Sequence, residues 1–155
     1  IEHNAVRQLI DKLSREEMTF PDTIEYGLYS DQHLSFKDLL AHLITYEVFS
    51  VEAVEDWKQG KKHFSVDDMQ SSSASRRIHY KGIEDRQNMS LDEVLDEWER
   101  TQIALMETIL SLTDADWRSP ASFPTTDAMD LGGILEIILV APPRPRWRRP
   151  SIGRS

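Results

Sequence analysis

Cysteine is missing altogether, which excludes a disulfide framework and thiolate metal sites. No apolar run approaches the roughly 20 residues that a membrane-spanning helix needs, so a membrane partner is not expected. There is no P-loop, glycine-rich dinucleotide turn, nucleophile elbow or HExxH pair, which sets aside the chemistries those motifs carry. Alternating strand patterns and internal repeats are absent as well. With no secretory apolar segment either, the reading is a cytoplasmic protein. The chain opens at Ile1, already inside a helical pattern, which points to a start further upstream.

What remains is 155 residues with a 39% apolar and 29% charged composition, enough for one domain with one core. The formal net charge is −9, unevenly spread. Residues 142–155 hold five arginines (144, 146, 148, 149 and 154), four prolines and no acid. Removing those five from the eighteen bases leaves thirteen against twenty-seven acids, a net of −14 on the body. Such a body repels phosphate backbones, so no nucleic-acid partner is expected.

Four segments carry helical periodicity. The first spans residues 2–16, with Val6, Leu9, Ile10 and Leu13 as its stripe. The second spans 35–59, from the Ser35/Asp38 cap to the stop at Gly60. Lys37, Thr45, Glu52, Glu55, Asp56 and Gln59 form its polar arc, and the broad apolar remainder suits a helix packed on two neighbours. The third opens on the capping box Ser90-Leu91-Asp92-Glu93 and runs to Leu112. The fourth begins near Asp127, carries Leu131, Ile134, Leu135 and Ile138, and ends at Pro142-Pro143. Residues 61–89 are polar and irregular, and their length favours a short helix or a lid.

The expected architecture is all-α: a four-helix bundle over residues 1–141, followed by a basic Pro/Arg-rich tail over 142–155. The second and third helices would run about 35 Å and the fourth only about 22 Å, which leaves one end of the bundle short of a wall. Two readings of the tail stay open. One is a polyproline extension docked on an acidic surface. The other is a shifted reading frame near Ala141, or a disordered segment.

Ser35-Phe36-Lys37-Asp38-Leu39-Leu40-Ala41-His42-Leu43, continuing through Tyr46-Glu47 to Trp57-Lys58-Gln59-Gly60-Lys61, resembles the opening signature of the DinB/YfiT-like superfamily. Within it the chain is most similar to the ClbS/DfsB-like (colibactin self-resistance) group. Met89 to Leu95, Leu112 to Trp117, Thr125-Thr126 and Leu131-Gly132 resemble that group's later segments, and the likeness covers about residues 15–140. It implies a four-helix bundle acting on a reactive small molecule, by hydrolysis or sequestration. Across the superfamily it also implies a divalent metal held by one histidine of helix two and two ligands of the last helix. Only His42 matches that set. The group's His-Tyr-x-Trp-Ala continuation of the last helix is replaced here by Pro142-Pro143-Arg144-Pro145-Arg146-Trp147.

His42 is therefore the candidate ligand for Zn, Ni or Fe, its alternative being a hydrogen-bonded histidine at the bundle rim. Glu47 lies in the apolar arc about 140° around the helix from His42 and is the candidate general base. Its alternative is a buried pair with an arginine or a tyrosine hydroxyl, with Gln102, set likewise in the helix-three seam, as a further candidate partner. Tyr46, Trp57, Trp98 and Gln102 are the candidate lining of a substrate pocket near His42, or simply core. Glu136 and His3, His33, His63 and His79 are read as solvent-facing. Two further functional alternatives are a metal-dependent thiol transferase and a non-catalytic bundle that pairs as a homodimer.

Overall fold

The computed structural model describes residues 2–21, 24–25, 33–120, 129–139 and 146–147. Among them lie α1 (Glu2–Lys12), α2 (Arg15–Thr19), β1 (Ile24–Glu25), α3 (Phe36–Lys58) and α4 (Phe64–Asp68). They are followed by α5 (Ser72–Glu84), α6 (Leu91–Leu110), α7 (Asp114–Arg118), α8 (Leu131–Leu139) and β2 (Arg146–Trp147). The expected all-α character holds. The count of four helices does not describe what is seen, because the 61–89 segment contributes α5, a thirteen-residue helix packed on α3.

Helix boundaries follow capping chemistry. The first expected helix breaks at Leu13 because Ser14 caps a new one: its hydroxyl accepts from the Glu17 N–H while the Glu17 carboxylate accepts from the Ser14 N–H. The same reciprocal box opens α3 (Ser35/Asp38), α6 (Ser90/Glu93) and α7 (Thr113/Asp116). The last helix is described only from Leu131, where the Asp130 carboxylate accepts from the Gly133 N–H at 2.7 Å. Of the rest of the expected fourth helix, Met129 and Asp130 are not helical, Asp130 bridging antiparallel to Pro120, and the remainder lies outside the described residues, as does the tail except Arg146–Trp147. Those two residues pair antiparallel with Ile24–Glu25, an element that the sequence pattern did not suggest.

α3 is the central rod, contacted by α2, α5, α6 and α8. Its Phe36, Leu40 and Ile44 join Met18, Leu91, Val94 and Trp98 in one core cluster, with Val6, Leu9, Ile10 and Leu13 of the first segment packed against it. Burying each such side chain contributes roughly 1.5–3 kcal/mol. Further along, Tyr46 and Ala53 meet Val66, Ile134 and Ile138, and Val54 meets Leu131 and Leu135. Two bidentate pairs bind the first helices to α6 from outside: Arg7 with Glu99 at 2.8 and 3.0 Å, and Arg15 with Asp92 at 2.7 and 3.0 Å. Both are solvent-exposed, so their contribution is small.

Thr45, expected in the polar arc of α3, is buried. The reason is α5, which crosses at Gly82 so closely that a Cβ there would lie 2.2 Å from the Thr45 Oγ1. The Thr45 hydroxyl donates to the Ala41 carbonyl at 2.8 Å and accepts from Arg86 at 3.1 Å. Arg86 also donates to the Gly82 carbonyl and forks onto Glu97 at 2.9 and 3.0 Å. One guanidinium thus ties α3, α5 and α6 together with its hydrogen-bonding capacity well used.

Candidate functional site

His42 projects from α3 into the protein, 3% exposed, and meets a residue that sequence reasoning placed on the surface. His79 of α5 is 2% exposed, and the two Nδ1 atoms stand 2.5 Å apart. One nitrogen must carry the hydrogen and the other the lone pair. Burial, and secondarily the neighbouring His79, pushes His42 well below the usual imidazole range. Burial alone pushes His79 down to about 4. Both rings are therefore neutral near pH 7. Tyr46 packs edge-on to His42, with centroids 4.7 Å apart.

A superfamily metal would need further donors. No group of three His, Cys, Asp or Glu side chains gathers among the described residues. The inward positions of α8 are Leu131, Ile134, Leu135 and Ile138, which cannot ligate. The described residues do not fit the implied three-ligand set.

Glu47 leaves α3 on another side. It is 5% exposed, its Oε2 accepts a hydrogen bond from the Gln102 amide, and His3 Nδ1 lies 3.6 Å from its Oε1. Burial raises its carboxyl to about 7, against the smaller opposite pull of Gln102. That value suits a proton carrier at neutral pH. Trp98 is enclosed in the core, with the Arg7 guanidinium 5.1 Å over its ring, and Trp57 bridges two apolar clusters.

His63 is the second correction among the histidines. It is buried as the N-cap of α4, its Nδ1 2.6 Å from Ser65 Oγ and its Nε2 2.9 Å from Glu52 Oε2. The Ser–His–Glu order imitates a hydrolytic triad. Ser65, however, is 0% exposed, so the chain of hydrogen bonds acts as a tie between α4 and α3.

The open space lies elsewhere. A cavity of about 240 Å³ sits among α3, α6, α7 and α8, beside the short last helix. Val54, Leu105, Ile109, Leu135 and Leu139 supply most of its wall, with Trp117, and Ser50, Thr108, Gly132 and Glu136 complete a lining that is almost wholly apolar. None of His42, Tyr46, Glu47, Trp57, Trp98 and Gln102 lines it. Ser50 follows His42 by eight residues, about 12 Å along α3. Glu136, read as solvent-facing, is exposed on that wall. The mismatch in helix length, already visible in the sequence, points to this end of the bundle, α8 covering nine residues where α3 has twenty-three, whereas the pocket was expected near His42.

The DinB superfamily model matches residues 2–140, and the chain belongs to that superfamily. No curated protein and no solved structure matches it.

Proposed function

We propose that this DinB-superfamily chain is a small-molecule-binding protein of the ClbS/DfsB-like type that sequesters its ligand in the cavity between α3, α6 and α8. The observation that carries this reading is an apolar cleft lined by two or more residues from each of three helices. Its volume, about 240 Å³, lies just below the usual range of ligand pockets and suits a ring-sized molecule. Sequestration is favoured over hydrolysis because, among the described residues, the almost wholly apolar lining includes one carboxylate residue, Glu136, and no imidazole, and the Ser50 and Thr108 hydroxyl hydrogens are committed to helix carbonyls at 2.8 Å. The test uses benzyl alcohol as a neutral ring probe in calorimetry, with Ile109→Trp to fill the half-buried wall. Saturable binding that drops at least tenfold in Ile109→Trp is expected; undiminished binding in the filled variant sinks the assignment.

A second reading, a homodimerising bundle, is favoured by Ile103, Met106 and Leu110. These follow helical spacing on α6 and are 58%, 56% and 76% exposed. Under it, sedimentation equilibrium of the native chain gives a dimer mass and Met106→Glu a monomer. A monomer mass for the native chain rejects it.

A further inference from the structure

Of the cavity lining, Ser50, Val54, Leu105 and Leu135 are buried, Ile109 and Leu139 are half-buried, and Glu136 alone is exposed. The enclosed part is therefore aliphatic apart from Ser50. That serine is 0% exposed, and its hydroxyl donates to the Tyr46 carbonyl at 2.8 Å. The Thr108 hydroxyl donates to the Ala104 carbonyl at the same distance. Neither hydrogen is left for a guest, because each is spent inside its own helix. Among the described residues, the lining includes no lysine, arginine, histidine, asparagine or glutamine. Glu136, standing in water, selects nothing within the enclosed part.

A hydroxyl, carboxylate or ammonium entering that space gives up its water and gains no partner. A hydrocarbon escapes this penalty and is itself drawn out of water. Water in the enclosed part is disfavoured for the same reason, since a buried water needs about two to four polar partners. Size narrows the class further. A dry apolar cavity of about 150 Å³ takes benzene. At about 240 Å³, this one has room for a ring with a short alkyl arm. We propose that the ligand of this cavity is a small neutral hydrocarbon, a single ring bearing a short alkyl chain, held against Val54, Leu105 and Leu135 without a hydrogen bond. This names the ligand class for the sequestration reading and rests on the cavity being the ligand site.

Ethylbenzene, benzyl alcohol and benzylamine share one ring and one arm and differ only in the last group: methyl, hydroxyl or ammonium. Calorimetry at pH 7 is expected to rank them in that order. Ethylbenzene should bind roughly five- to hundredfold more tightly than the alcohol, the range set by one unpaired buried hydroxyl. Glu136→Gln, an exposed substitution, should change none of the three by more than about twofold. Ile109→Trp, which fills the cavity, should weaken ethylbenzene at least tenfold. Ile109→Ala only removes atoms, so it should shift the preference from ethylbenzene toward butylbenzene, and it decides the location should the bulkier variant not fold. Alcohol or amine binding as tight as that of ethylbenzene overturns the hydrocarbon assignment and leaves the cavity as a binding site. Ethylbenzene binding indifferent to both Ile109 variants marks an adventitious additive only and also overturns it. Failure of all three probes to bind removes the binding reading itself, a separate result from loss of the hydrocarbon preference.

Discussion

Gly82→Ala is expected to lower stability by about 1.5–5 kcal/mol, even though alanine is the better helix former. The two effects oppose each other and their sizes decide the sign. Relief of glycine's backbone entropy in α5 gains about 0.8–1 kcal/mol. Against it, the new methyl lies 2.2 Å from Thr45 Oγ1, where the hydroxyl is held by the Ala41 carbonyl and by Arg86. Overpacking of that kind costs about 1–3 kcal/mol, and displacing the hydroxyl gives up a hydrogen bond to a guanidinium, roughly 1.5–3 kcal/mol more. The loss wins. In a Thr45→Ala background the obstructing oxygen is gone, so adding Gly82→Ala there should be nearly neutral. Urea denaturation of the four-member cycle reads the coupling directly. A Gly82→Ala protein as stable as its parent would mean that α5 does not approach α3 as described.

The second large effect is on pH. His42 and His79 have folded-state values below the unfolded imidazole, so the stability they contribute is present above about pH 6.5 and is lost as pH falls toward the folded values. Glu47 is raised to about 7, so its contribution is present below about pH 4.5 and is lost as pH rises through 7. At pH 5.5 the unfolded chain binds about 1.8 protons on the two imidazoles and about 0.1 on Glu47, while the fold binds about one on Glu47. The net of about 0.9 gives a loss of roughly 1.2 kcal/mol per unit of acidification. Near pH 7 the terms balance, which places the stability maximum there. Glu47→Gln removes the opposing term and should roughly double the slope between pH 5 and 6.5. Denaturant titrations at half-unit pH steps provide the check. The exposed carboxylates held low by their partners, Asp92, Glu93, Glu99 and Asp116, act below that window. A slope unchanged in Glu47→Gln would contradict a protonated, buried Glu47.

Much of this architecture was legible because it rests on local chemistry. The capping boxes at Ser35 and Ser90 and the apolar stripes of α3 and α6 announce two long helices with their ends nearly in place. The Glu47–Gln102 hydrogen bond was one of the pairings left open by two polar residues set into apolar seams. α5 was not legible. Its buried side is Ala74, His79 and Gly82, small or polar residues that carry almost no hydrophobic signal. It packs by close approach, and close approach depends on what stands opposite. The burial of Thr45, His79 and His63 follows from that helix and its neighbour α4, so all three were read as outward. The cavity escaped for a related reason: Leu105, Ile109, Leu135 and Leu139 look like ordinary core, and only the shortness of α8 distinguishes a gap from a filled seam.

Methyl NMR with benzyl alcohol shows most directly where a ligand sits. The Val54, Leu105, Ile109, Leu135 and Leu139 methyls should shift together along one saturation curve, with the resonances of His42 and His79 unmoved. Shifts centred on the histidine pair and Tyr46, with those five methyls silent, would place binding at the other end of α3 and contradict the proposal.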